Sequence, residues 1–128
     1  DLKGAISSFY RILKEKAVSV LIFSHPAFPQ GKSTKIGSRK QVSYQWDFSY
    51  FEQRRCTDPP WAHFKNDFIW FHRPLSDYWK VFKSAGFEVT EFEEPRLTLP
   101  NKDTMIDPEK LNNCQTRPYS VAFKLNKQ

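Results

Sequence analysis

The sequence predicts an α/β domain, a small mixed sheet with flanking helices, and three stretches carry that prediction. His72 to Val89, HRPLSDYWKVFKSAGFEV, reads as a helix delivered straight into a strand. The first 23 residues repeat the grammar, an amphipathic segment followed by a short apolar run. Tyr119 to Leu125, YSVAFKL, alternates Val121, Phe123 and Leu125 against Ser120, Ala122 and Lys124, as a strand does. With 128 residues, 12 Phe, 5 Tyr and 4 Trp, the chain fills one core, and a single domain over 1–128 is expected.

Taken in order, Leu2, Ala5, Ile6, Phe9, Ile12 and Leu13 trace one face at helical spacing, so a helix is expected from about residue 2 to 15. Its start at the first residues gives the impression of a chain cut from something longer. Val18 to Phe23 follows as an apolar run of the kind buried on both faces of a sheet. His25 to Gly37 is a loop by its prolines, glycines and polar composition. In VSYQWDFSY, Val42, Tyr44, Trp46, Phe48 and Tyr50 alternate with polar residues, a strand with one aromatic face. Phe68 to Phe71, FIWF, reads as a second strand. The two are expected to pair as an antiparallel flap, within an insertion or lid over about 30–71.

Leu75, Tyr78, Trp79 and Phe82 then fall at i, i+3, i+4 and i+7 of a helix. Pro74 suits its first turn and Gly86 the left-handed position past its end, with Phe87 packing back on Phe82. From Phe87 to Glu93 the apolar positions slip between Val89 and Phe92, which a bulge explains. Pro95 to Pro118 is irregular, with room for a helical turn near Pro108 to Leu111. The last two strands are expected to be antiparallel neighbours.

No apolar run is long enough to span a bilayer, and no signal peptide opens the chain. Cys56 and Cys114 form no CxxC and read as free thiols, which with the missing leader makes a cytoplasmic location the expectation. A single disulfide is the other reading. The charge of +6 is scattered, densest at Lys32, Lys35, Arg39 and Lys40, where solvated loops are the favoured reading over a phosphate-binding surface.

With these elements in place, FYRILKEK followed by VSVLIFSHPAF resembles the fifth helix and strand of class I S-adenosylmethionine-dependent methyltransferases. FHRPLSDYWKVFKSAGFEVTEFEEP is similar to the stretch leading into their sixth strand, and YSVAFKL to their seventh. The resemblance covers Asp1 to Leu125, with 30 to 70 as a variable insertion. It implies a partial Rossmann-like methyltransferase fold, the acceptor-side, C-terminal portion without the cofactor-binding half. Two departures stand out. Lys16-Ala17-Val18 occupies the place of a Gly-Gly turn, implying a differently shaped loop. Gly4, Gly31, Gly37 and Gly86 make no GxG, so S-adenosylmethionine is implied by the resemblance only and this chain alone is expected to bind none.

Ligands of open α/β sheets lie beyond the C-terminal strand ends. This edge supplies the expected acceptor-binding residues His25, Phe28, His72 and Arg73, with Tyr44 and Trp46 on the flap. His25 is the one catalytic candidate, either orienting or deprotonating an acceptor or serving as a turn histidine bonded to backbone. Arg73 reads as an anion anchor or as one half of a structural salt bridge to Asp77 or Glu94. The aromatic stripe is a ligand wall or merely the flap's core face, and Glu91, Glu93 and Glu94 read as solvated charges. Three functions follow: part of a methyltransferase with a small-molecule acceptor, inactive alone; a methyltransferase-derived assembly module; or a basic nucleic-acid-binding module. The open edge of Val18 to Phe23 predicts a homo-oligomer, or a complementing N-terminal half, as partner.

Overall fold

The computed structural model describes residues 1–28, 33–36, 39–42, 47–60, 62–96 and 115–128, the backbone alone at 33–36 and 39–42. The element order is α1 (Leu2–Ile12), β1 (Val18–Ser24), β2 (Ser33–Ile36), β3 (Arg39–Val42), β4 (Arg54–Asp58), β5 (Phe68–His72), α2 (Leu75–Ser84), β6 (Phe87–Glu93) and β7 (Ser120–Lys127). The main sheet has three strands in the order β1-β7-β6, and β2-β3 and β4-β5 form two separate two-stranded sheets.

The last strand is therefore the central one. It pairs antiparallel with β1, Leu21 opposite Phe123, and antiparallel with β6, Phe92 opposite Phe123. The outer strands run parallel to each other without touching. Every described hydrogen-bonded pair is antiparallel, so the small mixed sheet expected from the sequence is antiparallel in its pairing. The slip expected in β6 is present, a register shift between Val89 and Glu91.

Both described helices cover one face of this sheet. Phe82 of α2 meets Phe123 edge-on at 5.1 Å, and Tyr10 of α1 meets Phe87 edge-on at 4.9 Å. Phe123, 1% exposed, is surrounded by the rings of Phe23, Trp79, Phe82 and Phe92. Ile6, Phe82, Phe87, Val121, Phe123 and Leu125 form the buried core. Phe82 and Phe87 both belong to it, as the sequence predicts. Burying side chains of this size stabilises by about 1.5–3 kcal/mol each.

On the opposite face, Val18, Val20 and Ile22 of β1 are 57%, 60% and 66% exposed. The expectation of a strand buried on both sides is thus corrected. The reason is geometric: alternate residues of a strand face opposite ways, and α1 and α2 pack on the side of Leu21 and Phe23. Among the described residues β1 pairs only with β7, so it lies at the sheet's edge.

The helix ends follow local chemistry. Asp1 caps α1, its side chain accepting from the Lys3 N–H, and α1 stops at Ile12 rather than near residue 15. Ile12, expected on the buried stripe, is 68% exposed, while Tyr10 packs on the core instead. Gly86 takes φ +99, and a Cβ there would stand 3.1 Å from the Tyr10 ring, so both backbone and packing require glycine. Lys16 holds φ 60 between α1 and β1. The turn that lacks glycine in sequence thus still uses a left-handed backbone, at a steric cost.

The flap differs from expectation. The partner of β5 is β4, Arg54–Asp58, with Cys56 opposite Trp70, and not the aromatic stretch 42–50. Asp47 to Tyr50 lie in bends and a turn, Val42 ends β3, and residues 43–46 fall outside the described residues. Tyr50 explains the difference. Its hydroxyl accepts from the Leu75 N–H at 2.8 Å, and its carbonyl accepts from His72 Nε2 at 2.8 Å. A residue that caps a helix and ties a neighbouring strand end is spent on a turn, not on a ladder. The expected helical turn near Pro108 to Leu111 and the second cysteine, Cys114, lie outside the described residues; Cys56 is a free thiol, partly buried in β4.

Candidate functional site

Three chain ends converge at one edge of the main sheet: the C-terminal ends of β1 and β6 and the start of β7. The ladder between β1 and β7 runs one step past the strand, the His25 N–H donating to the Tyr119 carbonyl at 2.9 Å. His25 is 5% exposed. Its Nδ1 accepts from the Ala27 N–H at 3.1 Å within the His-Pro turn. The ring proton therefore sits on Nε2, which donates to Glu94 Oε1 at 2.8 Å. The Phe28 ring packs 5.1 Å from the imidazole.

Glu94 comes from the far side of the sheet, 69 residues away in sequence. Beyond the bulge in β6, Phe92 shares the face of Phe123 and Leu21. Two residues past Phe92 stands Glu94, and two past Phe23 stands His25, so strand alternation brings both to the same side. The Glu94 side chain is 47% exposed against 3% for His25. The imidazole is thus the buried partner and the carboxylate faces outward. Glu94 lines an open cleft of about 320 Å³ with Pro95, Arg96, Gln115, Thr116, Arg117 and Pro118. Arg117, 6% exposed, donates from Nη2 to the Tyr119 hydroxyl at 3.2 Å and lies over that ring.

This arrangement decides what His25 can do. One ring nitrogen is occupied by a backbone N–H and the other already carries its proton toward Glu94. Direct deprotonation of a ligand by His25 has no free nitrogen to use. The outward carboxylate is the group able to meet a ligand, with His25 fixing its orientation. The sequence favours backbone bonding for His25 and solvated charge for Glu94; the first holds at Nδ1, and Glu94 is exposed while its Oε1 accepts from Nε2.

His72, 3% exposed, does not line this cleft. It donates to the Tyr50 carbonyl and has the rings of Phe48 and Tyr50 edge-on at 5.0 and 5.7 Å. Arg73 makes neither expected salt bridge. Its guanidinium lies 5.1 Å over the Phe71 ring, Asp77 accepts from Gln53 Nε2, and Glu94 holds His25. The structure thus brings His25 and Phe28 together and sets His72 and Arg73 at the junction of β5 and α2. Tyr44 and Trp46 lie outside the described residues. Among the described residues no group of three His, Cys, Asp or Glu is placed to hold a metal ion. No described helix is long and apolar enough to cross a membrane.

The described residues do not fit an adenosyl methyl donor. Such a cofactor needs backbone N–H groups at a glycine-rich strand-to-helix turn. Gly4 sits inside α1 against Asp1, and Gly86 sits after a helix against Tyr10. The leading amides of both helices already have partners, Lys3 with Asp1 and Leu75 with Tyr50.

The order β1-β7-β6, with β7 reversed between two parallel strands and helices leading into β1 and β6, gives the chain a methyltransferase-like α/β fold. No family model and no curated protein matches the chain. Among solved structures it is similar to a Listeria monocytogenes crystal structure described as a "putative S-adenosylmethionine dependent methyltransferase". The match has 20% identity and a TM-score of 0.71, and covers 100% of this chain and 55% of that one. At that identity the likeness establishes the fold, and the chain spans just over half the length of its neighbour.

Proposed function

We propose that these residues are the acceptor-side, C-terminal portion of an S-adenosylmethionine-dependent methyltransferase, with the methyl-donor cradle supplied by protein outside them. The observation that carries the methyltransferase part of this reading is the match of the whole chain to 55% of a methyltransferase-like structure; the acceptor-side, C-terminal part rests on the resemblance of the residues themselves. A cleft at the strand ends agrees with it. On this reading the chain alone transfers no methyl group and contributes acceptor binding.

Calorimetry with S-adenosylmethionine tests it. The chain alone should give no heat, and the product of the complete reading frame should bind. Tight binding by the chain alone overturns the division of labour. Absence of binding in both, with no glycine-rich loop encoded upstream, favours a second reading, a non-catalytic assembly module. The exposed Val18, Val20 and Ile22 on an edge strand support that reading, since such a face suits another copy or a complementing half. Light scattering at high micromolar concentration then separates a self-associating chain from a monomer.

A further inference from the structure

We infer that the open face of the main sheet docks an amphipathic helix of a partner protein, one whose apolar stripe lies beside a stripe of Lys or Arg. The inference is independent of the reading above and starts from the register of the sheet. β1, β7 and β6 are described from end to end, and residues opposite each other in a ladder share a face. On the side away from the helices, Val18, Val20 and Ile22 of β1 therefore stand in line, across β7, with Glu88, Glu91 and Glu93 of β6. The face is divided lengthwise, an aliphatic column along one outer strand and an acidic column along the other.

Both columns are open to water. The three aliphatic residues are each more than half exposed, and the three glutamates are exposed too. Lys124 of β7, between the columns, pairs with Glu91, and Glu88 and Glu93 have no ion pair among the described residues. The chain as a whole carries +6, so this column is a patch of opposite sign on a basic protein. Solvation alone accounts for exposed glutamates, but not for an aliphatic column exposed beside them. A partner that covers the one and meets the other carries apolar and cationic groups side by side. The dimensions suit a helix. Two strand spacings separate the columns by about 9.5 Å, close to a helix's width of roughly 10–12 Å, so a helix lying along β7 touches both. The seven residues of β1 extend about 23 Å, the length of about 15 helical residues. A second copy fits this face poorly. Paired edge to edge along β1 it leaves the face open. Laid face to face about a two-fold axis, it sets the acidic column over its own copy or over the aliphatic column.

The probes are two fluorescent peptides of about 15 residues, each with leucine on one helical face and either lysine or glutamate on the other, titrated into the full chain by anisotropy. The lysine peptide should bind at least about tenfold tighter than the glutamate peptide, although the net charge of +6 favours the opposite order. Glu88→Lys with Glu93→Lys should reverse the preference, a gain that a misfolded chain cannot show. Val20→Ser with Ile22→Ser, which removes apolar surface and no charge, should weaken the lysine peptide by about tenfold. Asp58→Lys, at an exposed acid of the β4-β5 hairpin, should leave it unchanged where Glu93→Lys weakens it. Absence of lysine-peptide binding, equal affinity for both peptides, or equal losses from Asp58→Lys and Glu93→Lys overturns the proposal. A dimer in light scattering that Ile22→Ser dissolves puts a second copy on the face and overturns it as well. So does a complete reading-frame product that no longer takes the lysine peptide while this chain does, since the occupant is then a segment of the same protein.

Discussion

The main sheet and the β4-β5 hairpin are both antiparallel and both rich in aromatic residues, yet they stand very differently toward water. On the helix-covered face of the sheet, Val121, Phe123 and Leu125 are at most 1% exposed. In the hairpin and its connection, Phe64, Ile69 and Phe71 are 44%, 53% and 49% exposed. Strand composition is not what separates them. The sheet has two helices on one face, and the hairpin is held chiefly through Tyr50, His72 and the start of α2. A hairpin without a packed layer is marginal by itself. Among the described residues, the hydrogen bonds of Tyr50 join it to a body that is stable for other reasons.

That contrast can be broken at its centre. Phe123→Ala should cost about 3–5 kcal/mol, because the ring fills a site enclosed by four other aromatic residues. Urea denaturation reads it, and a loss below about 1 kcal/mol would mean that the sheet is no better packed than the hairpin. His72→Ala comes next, at roughly 2–3 kcal/mol, since a buried ring and its bond to the Tyr50 carbonyl are both lost. Hydrogen exchange should show this loss first at the β4-β5 amides. Tyr50→Phe removes only the hydroxyl that receives the Leu75 N–H, for about 1 kcal/mol, with faster exchange at that amide as its signature. Smallest of all, Ile69→Ala on the hairpin and Val20→Thr on the open face of β1 should each stay within about 1 kcal/mol. If Ile69→Ala rivals Phe123→Ala, something covers the hairpin that the described residues do not include.

The same contrast explains what could be read in the sequence. Helix periodicity and the alternation of Val121, Phe123 and Leu125 located α1, α2 and β7 because each faces a shared core. Val89 and Phe92 gave away the bulge for that reason too. β4 could not be located: Arg54 to Asp58, RRCTD, carries no apolar signal, and its pairing depends on β5 alone. The aromatic alternation around Tyr50 pointed to a strand because a side chain's spacing does not tell that its hydroxyl will cap a helix 25 residues on. The candidate site divides in the same way. His25 is visible beside Pro26, but Glu94 is a partner only once the sheet order is known. The one available clue was the bulge, which puts Glu94 on the side of Phe92, and it has meaning only after β7 is placed between the outer strands.

The placement of the final strand in the middle has a consequence for how the chain is made. Among the described residues, neither Val18–Ser24 nor Phe87–Glu93 has a sheet partner until Ser120–Lys127 arrives. At about 5–20 residues per second, the first of them waits roughly 5–20 s for that partner, its backbone edge unpaired meanwhile. Vectorial synthesis thus leaves closure of this sheet until Ser120–Lys127 emerges, and a stop codon just ahead of Ser120 would forfeit every described rung of the main ladder rather than one strand's share.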